Sequence, residues 1–270
     1  MLTTGKKIYA ASDMHLGAPD AEMSLVRERH LVKWLRHIAP DAAEIYLIGD
    51  IFDFWFEYKH VVPKGYARLM GTLAELSDAG IKLHIFAGNH DLWYKDYFPE
   101  QFGAEVHHGP IIREFFGKTY YLAHGDGLGP GDHGYKFMKR VFTNRFCKWL
   151  FKWLHPDLGV GLARIVSGKG SHAAFEKMAT TEVKHLGDRE YLYQHAKAMV
   201  KTHPEIDHYV FGHRHMLLQE EIHSQRYITM LGDWIRYFSF LEINEFGCEL
   251  SVFPMQEHPI VQSVASEHSH

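Results

Sequence analysis

Five short segments of this chain carry side chains that bind hard or borderline metal ions. They are Asp13-Met14-His15, Gly49-Asp50, Gly88-Asn89-His90-Asp91, His124-Gly125-Asp126 and Gly212-His213-Arg214-His215. Together they offer carboxylate, amide and imidazole ligands in numbers that suffice for two ions sharing a bridging carboxylate. Two such ions can clamp the oxygens of a phosphate ester and activate a water molecule, so the segments predict phosphoester hydrolysis.

The chemical types of these ligands narrow the choice of metal. Mixed nitrogen and oxygen ligands suit Mn²⁺, iron, Zn²⁺ or Co²⁺ better than Mg²⁺ or Ca²⁺, which prefer oxygen alone. Asp50, which directly follows Gly49, is the candidate for the carboxylate that bridges the two ions. Each segment alone also has an ordinary explanation, because Gly-Asn-His-Asp is a possible turn and Gly-His-Arg-His a possible polar loop. Their repetition along the chain is what favours a shared site.

The segments follow elements that can bring them together, since four of the five come directly after an apolar, β-prone run. Strands predicted at 8–11, 45–48 and 82–87 alternate with amphipathic helices at 30–38 and 66–76, a pattern typical of parallel strands covered by helices. The carboxyl ends of parallel strands meet at one edge of a sheet, where functional loops lie. We therefore expect the five segments to meet there.

The later part of the chain predicts a hairpin at 111–123, a helical insert at about 128–200, and a return to strands from 207 to 253. The simplest architecture is an α/β fold of two packed sheets with helices outside. We expect a single domain over 1–256 and a disordered tail over 257–270.

Two pairs of ligand candidates are spaced two residues apart, Asp13 with His15 and His213 with His215. In an extended segment, side chains at this spacing point to the same side. We therefore expect each pair to face the metal centre. Arg214 should then point to the opposite side and have a structural role.

Composition limits the possible partners and location of the protein. The formal net charge of -4 argues against a general nucleic-acid binder. The only cysteines, Cys147 and Cys248, form no CxxC motif. No signal-peptide pattern begins the sequence, and no apolar stretch approaches the ~18 residues needed to span a bilayer. We expect a cytoplasmic protein.

The helical insert combines basic and apolar residues. Lys136, Arg140, Lys148 and Lys152 fall four or eight residues apart, on one face of a continuous helix, and Trp149 belongs to its broad apolar face. Such a helix is typical of a membrane-surface or acyl-binding element. The alternative is that the apolar face packs on the main domain and the lysines are merely solvated. Lys169, between two glycines, could contact a phosphate or uracil, or lie in a flexible turn.

The ordered set of five segments resembles the calcineurin-like metallophosphoesterases. The resemblance covers residues 8–233 and implies a four-layer α/β/β/α sandwich with a dinuclear metal site. It assigns Asp13, His15, Asp50 and His215 to the first ion, and Asp50, Asn89, His124 and His213 to the second. It places His90 beside the scissile phosphate as a proton donor or charge stabiliser.

Within that family, residues 49–55, His124-Gly125-Asp126 and the helical insert resemble the UDP-2,3-diacylglucosamine pyrophosphatases of lipid A synthesis. That branch implies a cytoplasmic, peripherally membrane-bound enzyme, usually with manganese, whose insert forms a lid over acyl chains. Its reaction releases UMP and 2,3-diacylglucosamine 1-phosphate (lipid X). His90 replaces the arginine of the best-known branch, so a phosphodiesterase or phosphatase acting on a soluble nucleotide or other small ester stays open. A catalytically silent interaction module is the third alternative.

Overall fold

Eleven strands form in this computed structural model, which describes residues 5–131, 133–167, 172–181 and 183–255. The predicted tail and Lys169 lie outside these ranges. The strands are β1 (Lys7–Ala11), β2 (Ala42–Ile48), β3 (Lys82–Phe86), β4 (Glu105–His107), β5 (Ile111–Phe115), β6 (Lys118–Ala123), β7 (His208–Phe211), β8 (Leu217–His223), β9 (Arg226–Leu231), β10 (Ser239–Asn244) and β11 (Gly247–Val252).

The strands divide into two sheets. The first has the order β11-β10-β1-β2-β3-β4. Its members β1 to β4 run parallel, and β10 pairs antiparallel with both β1 and β11. The second has the order β5-β6-β7-β9-β8, with β6, β7 and β9 parallel. The predicted parallel strands β1, β2 and β3 and the predicted β5–β6 hairpin are confirmed.

The described ranges contain eight α-helices. They are α1 (Ala21–Ile38), α2 (Ala67–Asp78), α3 (Tyr97–Phe102), α4 (His133–Thr143), α5 (Arg145–Lys152), α6 (Pro156–Ser167), α7 (His172–Thr180) and α8 (Tyr191–Thr202), with a short 3-10 helix at Gly187–Arg189. Within the described ranges, none of the helices is both long and apolar enough to cross a membrane.

Three apolar cores account for the layering. Between the sheets, Tyr46 and Phe86 of the first sheet pack with Tyr120 and Val210 of the second. A second core, which includes Trp34 of α1, lies between the first sheet and its helices, and a third lies beneath α8. This arrangement is the expected α/β/β/α sandwich.

The start of α1 differs from the predicted range of 30–38. The helix begins at Ala21 because the carboxylate of Asp20 accepts hydrogen bonds from the backbone N–H groups of Glu22 and Met23, at 2.8 and 2.9 Å. A side chain in this N-cap position stabilises the first turn, which otherwise lacks partners for its donors.

The insert also departs from prediction, because the expected continuous basic helix is broken at Asn144. The side chain of this residue accepts hydrogen bonds from Phe146 N and Cys147 N and so starts a new helix. Lys136 and Arg140 therefore lie on α4, whereas Lys148 and Lys152 lie on α5, and the four do not share one helical face. A second break, at residues 153–155, separates α5 from α6, which begins at Pro156. Proline is favoured in the first turn of a helix.

Candidate metal centre

The carboxyl ends of six strands converge, three from each sheet: β1, β2 and β3, and β6, β7 and β9. Backbone hydrogen bonds connect the loops that follow them. Asp13 N donates to Gly49 O at 3.1 Å in the first sheet, and Gly212 N donates to His124 O at 3.0 Å in the second. Trp234 N donates to Asp13 O at 3.1 Å and so joins the two sets of loops. The predicted meeting of distant segments is thereby confirmed.

One group of potential ligands consists of Asp13, His15 and His215, all buried, whose candidate atoms lie within 4.8 Å of one another. His15 Nε2 lies 3.2 Å from His215 Nε2, and His215 Nε2 lies 3.5 Å from Asp13 Oδ1. The two imidazole rings stack at 5.0 Å between centroids. Three ligand atoms thus face a common point.

A second group consists of Asp50, His124 and His213. His124 Nε2 lies 3.5 Å from Asp50 Oδ2 and 3.2 Å from Asn89 Oδ1. The rings of His124 and His213 are 5.1 Å apart. All four residues predicted for the second ion are therefore in one place.

Asp50 lies between the two groups. Its Oδ2 atom is 3.6 Å from His15 Nε2 in the first group and 3.5 Å from His124 Nε2 in the second. Its Oδ1 atom accepts a hydrogen bond from His90 N at 2.9 Å, which fixes the carboxylate. One carboxylate facing two ligand groups is the geometry expected of a bridging ligand.

Two glycines allow this close packing. A Cβ atom on Gly49, whose φ is +76°, would lie 2.5 Å from His124 Nδ1. A Cβ atom on Gly88 would collide with the Asp50 carboxylate. Glycine is therefore required at both positions because a larger residue would displace a candidate ligand.

The backbone of the two ligand pairs is not extended, although the sequence predicted that it would be. Asp13, His15, His213 and His215 have φ values of 60°, 45°, 65° and 48°, so neither segment is extended. Left-handed conformations of non-glycine residues are uncommon and are concentrated at functional sites. Both pairs nevertheless converge, because left-handed turns rather than strand alternation aim their side chains.

Arg214 separates His213 from His215 and has a structural partner. Its Nε and Nη2 atoms donate to the two carboxylate oxygens of Glu190 at 2.9 and 3.0 Å. Glu190 is almost fully buried at the start of α8. This two-pronged ion pair fixes the ligand loop to the helix, in agreement with the structural role predicted for Arg214.

Residues behind the candidate ligands orient them. His124 Nδ1 lies 2.9 Å from Ile48 O, and His215 Nδ1 lies 3.3 Å from Asp233 Oδ2. Asp91 instead binds backbone groups. Its carboxylate accepts hydrogen bonds from backbone N–H groups, including Gly88 N at 2.8 Å, and fixes the loop that carries Asp50. The contact of Asp233 with His215 was not predicted from the sequence.

Burial and opposite charges act together on the protonation of this centre. Burial raises the pKa of Asp13, against the attraction of His215 and His124. Burial also acts to raise the pKa of Asp50, but His124, His90 and other histidines hold it well below its usual range. Burial lowers the pKa of His213 to about 3. An ionised Asp50 beside a neutral His213 is a suitable pair of metal ligands, since both must be deprotonated to bind.

The buried oxygen Asp13 Oδ1 tests whether these residues fit a metal ion. Among the described residues it has no hydrogen-bond partner. A buried carboxylate oxygen without a donor is costly, and a cation at this position would satisfy it. The donor set of imidazole, carboxylate and amide groups fits borderline divalent ions such as Mn²⁺ or Zn²⁺.

His90, the predicted catalytic residue, lies at the margin of the centre. Its ring contacts that of His15 edge-on at 4.8 Å between centroids. Its Nδ1 atom is 3.1 Å from Asp53 O and 3.3 Å from Asp53 Oδ1. Burial acts to raise the pKa of Asp53, but His15 and His90 hold it far below its usual range. Asp53 was not predicted as a site residue, although its position three residues after Asp50 was a usable signal.

The substrate contacts predicted in the insert are less direct. Lys136 Nζ donates to Gly129 O at 2.6 Å, Arg140 is exposed, and Trp149 is 52% exposed beside Phe146. Lys139 instead reaches the centre's periphery, where its Nζ atom lies 2.5 Å from Asp126 Oδ2. The insert is thus fastened to the loop after His124 through Lys139.

The apolar residues of the insert follow both of the alternatives considered. Phe151 packs on the main domain, with ring centroids 4.7 Å from Phe56 and 4.9 Å from Trp93. By contrast, Phe146 is 63% and Trp153 75% exposed. One part of the apolar surface therefore docks the insert, and another part faces outward.

A cavity of about 690 Å³ lies between the main domain and the start of α6. Its lining includes the apolar side chains of Leu25, Phe54, Val62 and Val160, and it reaches Asp53. Because Asp53 contacts His90, the cavity adjoins the candidate metal centre. Charged side chains such as Lys64 and Arg68 also line it, so its apolar part suits an apolar ligand group beside a polar one.

Comparisons with known proteins agree with this geometry. Residues 6–217 match the family model described as calcineurin-like phosphoesterase. A protein of Porphyromonas gingivalis named UDP-2,3-diacylglucosamine hydrolase is 40% identical over 242 residues, covering 87% of this chain and 92% of its own length. One of the same name from Aeromonas hydrophila is 28% identical, covering 85% and 91%.

Among solved structures, a phosphoesterase from E. coli matches with a TM-score of 0.42 and 13% identity, covering 88% of each chain. The family match and the 40% identical relative both extend over most of the chain and confirm the resemblance drawn from the five segments. The chain belongs to the calcineurin-like phosphoesterase family of hydrolases.

Proposed function

We propose that this protein hydrolyses the pyrophosphate of UDP-2,3-diacylglucosamine, with release of UMP and 2,3-diacylglucosamine 1-phosphate (lipid X). The observation that carries the reaction class is the position of Asp50, whose Oδ2 atom faces one ligand group at 3.6 Å and the other at 3.5 Å. The substrate is supported by relatives named for it that cover 85% or more of the chain.

The proposed metal ligands are those of the two groups. Asp13, His15, Asp50 and His215 would hold the first ion, and Asp50, Asn89, His124 and His213 the second. We propose Mn²⁺ as the metal, with iron or Zn²⁺ as alternatives, because the ligand set mixes nitrogen and oxygen. When bound, two such ions polarise phosphate oxygens and lower the pKa of the attacking water.

Side chains of the protein would perform the remaining steps. Asp53 holds His90 through the contacts at 3.1 and 3.3 Å, so the imidazole is presented in a fixed orientation beside His15. A histidine placed there can stabilise charge on the phosphate or give a proton to the departing oxygen. Burial of the ligand loops excludes water from competing for these contacts.

The acyl chains of the substrate would occupy the cavity beneath α6 and extend along the insert. Two features support this assignment. The cavity has apolar lining residues such as Phe54 and Val160, and it extends to Asp53. Two exposed aromatic residues, Phe146 on the basic helix α5 and Trp153 at its C-terminal end, support docking on an anionic membrane surface. We therefore propose a cytoplasmic enzyme that binds the membrane peripherally.

The reaction class is tested by measuring UMP release in the presence of Mn²⁺. Asp50→Ala and His124→Ala should each lower turnover by about 100-fold or more, because both remove a ligand near the reacting phosphate. Asp41→Ala, on the surface between α1 and β2, is the control and should retain activity. Wild-type turnover by Asp50→Ala would show that the proposed centre is not where hydrolysis occurs.

The substrate class is tested separately by comparing the diacyl substrate with UDP-glucosamine and a water-soluble phosphodiester. The proposal expects the acyl chains to raise kcat/KM strongly. Equal activity on the soluble diester would favour the alternative of a phosphodiesterase or phosphatase acting on small soluble esters, while leaving the metal centre intact.

A further inference from the structure

A separate cluster of metal-binding side chains lies on β3 and β4, and none of its members belongs to the centre described above. It consists of His84, Glu105 and His107, whose candidate ligand atoms all lie within 4.8 Å of one another. His84 lies opposite Glu105 in the parallel register, and His107 follows Glu105 by two residues on the same strand. The sheet itself therefore brings the three together.

The distances within the cluster match those around a single small cation. His84 Nδ1 lies 3.1 Å from His107 Nε2 and 3.4 Å from Glu105 Oε2. Two nitrogen ligands at the usual zinc distance of about 2.0–2.1 Å in a tetrahedral shell are separated by about 3.3 Å. These two pairs of atoms thus have the spacing of neighbouring ligands, and His107 Nδ1 lies 3.7 Å from the other carboxylate oxygen, Glu105 Oε1.

A carboxylate lies beside the second nitrogen of His84. This nitrogen, Nε2, is 3.3 Å from Glu44 Oε2, although the pair lacks the geometry of a hydrogen bond. The Tyr46 ring stacks on the imidazole at 4.2 Å, with planes 3° apart, and its hydroxyl donates to Glu44 Oε2 at 2.6 Å. A carboxylate behind a ligand histidine fixes its tautomer and orientation.

The position of Glu105 provides a route for a cation. His84 and His107 are only 5% and 7% exposed, whereas the Glu105 side chain is 55% exposed. Arg113 Nη2 binds Glu105 Oε1 at 3.1 Å, so the other oxygen is the one directed at His84. A cation could enter from the surface beside Glu105 and meet two nearly buried imidazoles.

We propose that His84, Glu105 and His107 form a mononuclear site for Zn²⁺ or a similar borderline divalent cation. Its three protein ligands leave one position for water, and its effect is to fasten β4 to the sheet. β4 has only three residues and pairs with β3 alone among the described strands, so a shared ion adds a substantial connection at this edge. A direct hydrogen bond between the histidines, without an ion, is the competing explanation.

The test is a zinc titration of the full-length protein, followed by calorimetry and by metal analysis after gel filtration. Wild type should bind three equivalents of Zn²⁺ per chain, two at the main centre and one here, and His107→Gln should bind two. His108→Gln changes the adjacent histidine, which lies outside the cluster, and should still bind three. Equal zinc stoichiometry in wild type and His107→Gln would overturn the proposal.

A measurement on wild-type crystals makes the result independent of how any variant folds. Anomalous diffraction at the zinc edge should show a peak between His84 Nδ1, His107 Nε2 and Glu105, in addition to peaks beside Asp50. No peak at this position at saturating zinc would refute the site. UMP release by His107→Gln should remain close to wild type, because none of these side chains contacts the main centre.

Discussion

Asp233 Oδ2 lies 3.3 Å from His215 Nδ1, while Nε2 of the same imidazole faces His15 Nε2 at 3.2 Å. Asp233 follows β9, so a sixth strand end contributes to the centre even though it supplies no ligand of its own. It also accepts hydrogen bonds from Ile235 N and Arg236 N, which fix the carboxylate. This contact sets which nitrogen of His215 can bind a metal.

Replacing Asp233 with asparagine should therefore weaken metal binding. An amide can keep the backbone hydrogen bonds through its oxygen, but its NH₂ group would face His215 Nδ1. We expect the Kd for the more weakly held Mn²⁺ to rise about 10–100-fold. Calorimetric titration measures this, with Asp41→Asn as a surface control. An unchanged Kd would show that Asp233 does not orient His215.

A methyl group at Gly88 should disrupt the bridge directly. In Gly88→Ala the new Cβ would collide with the Asp50 carboxylate, which must shift away from one ligand group. Displacement of a reacting site by about 1 Å can cost about 100-fold in rate, and we expect a loss of that size in UMP release. Gly109→Ala is a matched control because nothing lies within 4 Å of its added Cβ. Equal activities of the two variants would contradict the assigned bridge.

The two parts of the insert's apolar surface should respond differently to truncation. Phe151→Ala removes contacts with Phe56 and Trp93 and should lower the free energy of unfolding by about 1–2 kcal/mol, since the ring is half-buried. Phe146→Ala removes a ring that is 63% exposed and should change it by less than about 0.5 kcal/mol.

Phe146 should instead contribute to lipid binding. Phe146→Ala should lower binding to anionic vesicles and turnover of the diacyl substrate, with Phe151→Ala as the comparison for stability. Vesicle co-sedimentation and denaturant unfolding measure the two effects. Loss of stability in Phe146→Ala, with unchanged vesicle binding, would contradict a lipid-facing surface.

His208 should make stability depend on pH. It stacks between Tyr120 and Tyr227, and burial lowers its pKa from 6.5 to about 4. As the pH falls from about 6.5 to 4, the unfolded chain binds a proton that the folded protein does not, so the free energy of unfolding decreases in this window. His208→Phe keeps the stacked ring without the titration and should lose less stability across it. Denaturant unfolding measures both proteins across this range. An equal decrease in the free energy of unfolding of wild type and His208→Phe would contradict this role of His208.

The sequence predicted the convergence of the ligand segments because apolar runs and ligand residues alternate in order. Parallel strands then place their ends together whatever the details of the loops. Asp13 and His15 do reach the centre, but not through an extended segment as predicted, since both adopt left-handed conformations that strand periodicity does not reveal. The role of Asp53 could not be predicted, because its contact with His90 depends on how two separate loops fold.

The helical insert shows a second limit of prediction from sequence. Its basic and apolar residues fit a continuous helix, but the Asn144 side chain caps a new one, and this local signal competes with helical periodicity. Which aromatic residues dock and which remain exposed depends on their contacts with Trp93 and Phe56, which are distant in sequence. Periodicity identified the apolar face but not its partners.

The most direct test is anomalous diffraction from crystals of the Mn²⁺-loaded protein. Two peaks about 3.5–4 Å apart are predicted beside the Asp50 carboxylate, one contacting Asp13, His15 and His215 and the other contacting Asn89, His124 and His213. A single peak, or ions bound away from Asp50, would contradict the central claim that one aspartate joins two metals.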